Sequence, residues 1–100
     1  MSGGKYILEG KSVKPEDDLL RWAKWFETAN RQVAVDEING VTVSTVFLGI
    51  DHSWNDQKPK LFETMIFGGQ YDQEQERYCT WHEAEAGHQR WLAKVKEEYA

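Results

Sequence analysis

Several things that this sequence lacks limit what it can be. Cysteine occurs once in 100 residues, as Cys79. A single thiol forms no internal disulfide, so the fold does not depend on an oxidising compartment. Long apolar runs are missing. The longest strictly apolar stretch is of the kind Val46-Phe47-Leu48, broken by Gly49 before Ile50, which excludes a membrane-spanning helix. The N-terminus has no basic-then-apolar pattern, so a signal peptide is not expected and the cytoplasm is the default. Excess basic charge is also missing. The net charge is −5, and a groove that tracks a long phosphate backbone wants the opposite sign, so long nucleic acid is not expected as a partner. A small anionic ligand needs only a few well-placed cations and stays open. There is no internal repeat and no low-complexity segment.

What is present reads as one folded domain spanning residues 1–100. Hydrophobic residues make up 40% and charged residues 29%, ordinary values for a chain with a core. Five tryptophans are many for this length. Trp is enriched where proteins meet and where flat ligands stack.

Periodicity predicts the order β-α-β-β-β-β-α. Lys5 to Glu9 alternates as a short strand, and Gly10 ends it. Pro15 suits the first turn of a helix, with Glu16, Asp17 and Asp18 at the positive end of its dipole. That helix is expected to run to about Asn30, with Leu19, Ala23 and Phe26 on its apolar stripe, Leu20 and Trp22 widening it and Trp25 near its edge.

Asn39-Gly40 between two strand-like runs, Gln32 to Ile38 and Val41 to Ile50, predicts a tight hairpin with a type I′ turn. A two-residue loop fixes the register. Ile38 then faces Val41, Asp36 faces Val43 and Ala34 faces Thr45. On the other face Glu37 meets Thr42, Val35 meets Ser44 and Val33 meets Val46. Neither face is cleanly polar. Two helices can cover one, and a second copy of the chain is the economical cover for the other.

Leu61 to Phe67 and Glu76 to Cys79 are further strands, separated by a loop opening at Gly68-Gly69. Thr80 with Glu83 three residues on forms a capping box for a last helix, whose inner face carries Ala84, His88, Trp91, Leu92, Val95 and Tyr99. The expected class is therefore α+β, with an antiparallel sheet packed on two helices.

No catalytic motif is complete. There is no Gly-x-Ser-x-Gly, and Gly68-Gly69 lacks the Lys and Ser/Thr of a phosphate loop, so a turn is its plainer meaning. Cys79 precedes a helix N-cap, where a thiolate can be stabilised, but it also ends a strand-like run, where cysteine is usually packing. Glu85 and His88 share a helix face and, with Asp51, His52 and Glu63, sketch a metal site. The plainer reading makes His88 a half-buried residue bonded to Glu85 or to backbone, and gives Asp51-His52 a turn-capping role. No cofactor and no metal are expected.

The aromatic and cationic residues make a better candidate set. Trp54, Lys58 and Lys60 fall in one loop, next to His52. Tyr71, Arg77, Tyr78 and Trp81 fall in the second loop and the strand that follows. Stacking rings beside Lys or Arg are what a nucleobase and its phosphate require. Arg77 is the strongest phosphate candidate because its planar fork binds two oxygens. The opposing reading puts Tyr78 and Trp81 in the core and makes Trp54 an oligomer anchor.

The stretches Val43-Ser-Thr-Val-Phe-Leu-Gly-Ile-Asp51-His52, Leu61-Phe-Glu-Thr-Met-Ile-Phe-Gly-Gly69, Tyr78-Cys-Thr-Trp81 and Glu83-Ala-Glu-Ala-Gly-His88, with Trp25-Phe-Glu27 upstream, resemble a widespread group of small bacteriophage proteins of about this length. The chain is similar in kind to phage sponges that sequester the cyclic nucleotide signals of CBASS defence. That resemblance implies an oligomer, a dimer or tetramer, that binds a cyclic nucleotide without chemistry in the cytoplasm of an infected bacterium. Two alternatives from other classes remain: a protein–protein inhibitor of a host defence enzyme, of anti-CRISPR or anti-restriction type, and a metal-dependent hydrolase using Asp51, His52, Glu85 and His88.

Overall fold

A computed structural model describes residues 4–53 and 58–98. Among these the order is β1 (Tyr6–Glu9), β2 (Ser12–Pro15), α1 (Leu19–Thr28), β3 (Gln32–Ile38), β4 (Val41–Phe47), β5 (Phe62–Phe67), β6 (Gln75–Tyr78) and α2 (Trp81–Glu98). The class is α+β, as the periodicity predicts. β3 to β6 form an antiparallel meander, and β1 with β2 is a separate hairpin.

The central hairpin follows from its turn. Asn39 and Gly40 both hold positive φ, 50° and 83°, as a type I′ turn requires. The pairs Ile38–Val41, Glu37–Thr42, Asp36–Val43, Val35–Ser44 and Ala34–Thr45 all form. The expected Val33–Val46 pair does not. A bulge at Val33 lets Gln32 face Val46 instead, and Val33 packs toward the core.

β2 is the element that periodicity alone does not predict. Gly10, at φ 63°, takes the first central position of a two-residue turn, and the chain folds straight back on β1. Pro15 therefore ends a strand opposite Tyr6 and does not start a helix. α1 begins four residues later. Asp18 is its N-cap, accepting from the Arg21 amide at 3.0 Å. The expected stripe holds only in part, for Phe26 and Trp22, and Ala23 is exposed. Leu19 and Leu20 are exposed, Leu20 by 80%, while Trp22, Trp25 and Phe26 turn inward.

The two helices do not share the sheet face. α2 alone covers it, and α1 with the β1–β2 hairpin closes one end, where Trp25 meets Phe47 edge-on at 5.7 Å. Gly49, at φ 80°, ends β4 there. Its carbonyl accepts from the Trp22 indole at 3.1 Å, and a Cβ at this position would crowd Phe26.

The core under α2 is two apolar clusters with a polar layer between them. Val41, Val43, Ile66, Leu92 and Val95 form one, and Phe47, Leu61, Phe62, Tyr78 and Ala84 the other. The layer sits one register step from each. Thr45 pairs with Thr64 across β4 and β5, and His88 reaches them from mid-helix.

The opposite sheet face carries Val35, Val46, Met65 and Phe67 among polar residues. Val35 is 56% exposed and Phe67 48%.

Candidate ligand-binding groove

β6 is the last strand of the sheet, and α2 starts two residues after it and runs back across the same edge. The tight return is held by the predicted capping box. The Glu83 amide donates to Thr80 Oγ1, and the Thr80 and Cys79 amides donate to Glu83 Oε1, all at 3.1 Å. These backbone bonds, the Cys79 amide foremost, hold the Glu83 carboxyl below its ordinary value despite some burial.

Strand and helix diverge enough to leave a groove along this edge. One lobe, about 350 Å³, is lined by Lys60, Arg77, Cys79, His82, Glu83 and Arg90 among others. A second, about 670 Å³, is lined by Gln75, Glu76, Arg90, Trp91, Ala93 and Lys94. Glu76 and Arg90 belong to both lobes, which therefore meet there.

The groove is positive on an acidic chain. Lys60, Arg77, Arg90 and Lys94 line it, with His82, against two carboxylates. Both carboxylates are already occupied. Glu83 serves the helix cap, and Glu76 Oε1 accepts from the Trp91 indole at 3.0 Å with Arg90 at 3.6 Å. Trp91 supplies a ring. It meets Tyr71 at 5.9 Å between centroids in an edge-to-face pair, and the Lys94 ammonium lies over both rings, at 4.8 Å from Trp91 and 5.4 Å from Tyr71.

The expected site residues divide accordingly. Lys60 and Arg77 line the groove, though Arg77 Nε is bonded to Glu63 Oε2 at 3.0 Å. Tyr71 joins it through Trp91, from the loop at the other end of the sheet. Lys58 is exposed nearby, and its carbonyl accepts from the Cys79 thiol at 3.9 Å. His52 is exposed in the β4–β5 connection. Trp54 lies outside the described residues.

Two expected stacking residues face inward. Tyr78 is buried at 5% exposure, at the floor of the smaller lobe, with its hydroxyl bonded to Thr64 and Glu76. Trp81 packs edge-on against Phe62 at 6.2 Å, with Lys11 above it at 5.8 Å. Arg90, Trp91, Lys94 and His82 are groove residues that sequence reasoning left out. Arg90 lies on the opposite side of α2 from the buried stripe of Ala84, His88 and Leu92, so helix periodicity marks it as exposed and does not point to a groove.

The sketched metal set does not converge. Glu85 is exposed, and Glu63 is on the far sheet face with Arg77. Asp51 is a turn cap. Burial works to raise its pKa, but bonds from the Ser53 amide at 2.7 Å, the Ser53 hydroxyl at 3.0 Å and the Lys60 amide at 3.0 Å outweigh it and leave the pKa lowered. Among the described residues no group of three His, Cys, Asp or Glu side chains is placed to hold a metal ion.

His88 is not half-buried on Glu85 as expected. It is fully buried, with Nε2 2.8 Å from Asp36 Oδ2 and Nδ1 2.7 Å from Thr45 Oγ1. Asp36, His88 and Thr45 thus have the connectivity of a catalytic triad. Thr45, however, has no exposed surface, and its hydroxyl lies 2.6 Å from that of Thr64, so no substrate can reach it in this conformation. From Thr64 the row continues to the Tyr78 hydroxyl at 3.0 Å, and from there to Glu76 Oε1 at 3.1 Å, on the groove wall. Burial pushes the Tyr78 phenol up to about 12, so it keeps its proton near neutral pH.

Compared with known proteins, the chain matches no family model, no curated protein and no solved structure.

Proposed function

We propose that this chain binds a small anionic ligand carrying a flat ring, of the nucleotide class, in the β6–α2 groove, and holds it without chemistry. The observation that carries the reading is the charge imbalance in the groove. A chain of net charge −5 places Lys60, Arg77, Arg90 and Lys94 along one edge beside only Glu76 and Glu83 among the described residues. Arg77 is paired with Glu63 and Arg90 loosely with Glu76, which leaves Lys60 and Lys94 as the described cations without a carboxylate in the groove. Arg90 sits where the lobes meet and is the natural partner for phosphate oxygens. The Trp91 face now under Lys94 is the platform for a ring. An incoming base displaces the ammonium, which then meets the phosphate.

The resemblance to phage sponges narrows the ligand to a cyclic nucleotide defence signal and adds a homo-oligomer. The face bearing Val35 and Phe67 is the surface a second copy would cover. The same exposed face supports a second reading, in which the chain occludes a host defence protein.

Native mass spectrometry of the protein, alone and with a panel of cyclic di- and trinucleotides and linear mononucleotides, tests both. The proposal expects a complex that gains the mass of an intact nucleotide and releases it unchanged on denaturation. No mass gain with any nucleotide would discard it, and a stoichiometric host protein recovered by pull-down would then favour occlusion.

A further inference from the structure

Glu76 is the carboxylate that both lobes of the groove share. Its place follows from the register. β6 pairs with β5 so that Glu76 stands opposite Thr64, which is buried beneath α2. Glu76 therefore rises on the helix side of an outer strand, beside Trp91 and Arg90.

Its two oxygens have different surroundings. Oε1 lies 3.0 Å from the Trp91 indole nitrogen, 3.1 Å from the Tyr78 hydroxyl and 3.6 Å from Arg90 Nη2. Oε2 takes no hydrogen bond from any of the described residues, and the side chain is 44% exposed. One oxygen thus fixes the carboxylate, and the other is left as a bare acceptor in the groove.

The Trp91 bond sets the direction. An indole N–H lies in the plane of its ring, so the carboxylate sits at the rim of the ring platform. A base in offset contact with the ring face lies about 3.5 Å above it. Shifted toward that rim, the base brings its hydrogen-bonding edge to Oε2.

A carboxylate oxygen takes donors and repels lone pairs. Uracil presents one N–H between two carbonyl oxygens. Adenine and cytosine present an amino group beside a bare ring nitrogen. Guanine presents its N1–H and its 2-amino group side by side, with no lone pair between them. Oε2 has lone pairs for both.

We propose that Glu76 makes the groove selective for guanine, with Oε2 accepting from the N1–H and 2-amino group of a base stacked on Trp91. The proposal rests on the groove being the binding site and names the base it takes. Arg90 is free to turn to phosphate, since 3.6 Å is a loose contact. The Trp91 and Tyr78 contacts then keep the carboxylate in place.

The test is titration calorimetry with guanosine, inosine, adenosine and uridine diphosphates, on wild type and Glu76→Gln. Inosine diphosphate is guanosine diphosphate without the 2-amino group, so that pair weighs one donor against one acceptor. Wild type is expected to bind guanosine diphosphate about tenfold tighter than each of the others. In Glu76→Gln the Trp91 indole keeps the amide oxygen on its own side. The amide nitrogen, a donor, then stands where Oε2 stood, and the preference for guanine should vanish. Ratios within one protein are unaffected by a general loss of affinity. If Glu76→Gln fails to fold, the guanosine-to-inosine ratio in wild type still decides. Equal affinity for all four in wild type overturns the choice of base and leaves the groove standing. A guanine preference unchanged in Glu76→Gln overturns the role of Glu76. No binding of any of the four, nor of cyclic diguanylate, overturns the groove as the site and the choice of base with it.

Discussion

Gly87 lies directly against the phenol ring of Tyr78: a Cβ added at Gly87 would overlap the ring and its hydroxyl. The glycine sits in the middle of α2, where it costs helix propensity, so its place there is explained by the ring it admits. Two effects oppose each other in Gly87→Ala. Helix propensity gains about 1 kcal/mol. Overpacking a buried ring costs about 1–3 kcal/mol or more. Packing is expected to win, because Tyr78 is pinned at its hydroxyl by Thr64 and Glu76 and cannot swing aside cheaply. Thermal unfolding should show a lower midpoint for Gly87→Ala; an unchanged or higher midpoint would mean that the ring moves freely.

The Glu83 cap predicts an acid dependence. Its carboxyl pKa is lowered in the folded protein from an ordinary value of 4.5. A group with a depressed folded pKa adds stability above its unfolded pKa, and that stability is lost as pH falls through the folded one. In Glu83→Gln this contribution should be missing at pH 7. The gap between the two proteins should then close as pH drops below about 4.5. Urea unfolding at a series of pH values measures it, and a gap that stays constant to pH 3 would remove Glu83 from the cap.

Thr45→Val keeps the side-chain shape and removes the hydroxyl. It leaves His88 Nδ1 without a partner in a buried site, while Thr64 keeps only the Tyr78 hydroxyl. An orphaned buried polar group costs about 1–3 kcal/mol, so the variant should unfold at lower denaturant with an unchanged slope. Stability equal to wild type would mean that His88 Nδ1 finds another partner.

Arg90→Ala should weaken nucleotide binding by tenfold or more, because charge-assisted bonds are worth about 1.5–3 kcal/mol, while thermal stability changes little. Wild-type affinity should also fall with added salt. Titration calorimetry at two ionic strengths checks both points, and an unaltered affinity in Arg90→Ala would exclude it as the phosphate contact.

Local chemistry was legible in the sequence, and tertiary placement less so. Asn39-Gly40 fixed five pairs of the central hairpin because a two-residue turn leaves the register no freedom. Thr80 and Glu83 marked the start of α2 because a capping box is a short-range device. The Val33 bulge could not be foreseen, since it depends on what β3 packs against. The β2 strand was hidden by Pro15, whose fixed φ suits a helix start and an extended strand end equally well.

The candidate site shows the same division. Lys60 and Arg77 lie beside the groove, whereas Tyr78 is buried against it and Trp81 is half-buried on Phe62. An aromatic beside a charge reads the same whether it faces a ligand or the core. His88 was expected to be half-buried, because its partners Asp36 and Thr45 lie 52 and 43 residues away. Distances of that kind are set by the meander, not by spacing.

The Val33 bulge also bears on how this protein behaves at high concentration. β3 is an outer strand, and a regular outer strand invites another chain to extend the ladder without end. Here the extra residue breaks the spacing of the free edge. The Gln32 side-chain amide also donates to the Ala34 and Thr45 carbonyls at 2.8 Å each, using acceptors near that break. A strand arriving from solvent meets an edge out of step with its own repeat. The irregularity that spoils the prediction of one pair thus makes the free edge of β3 a poorer template for a further strand.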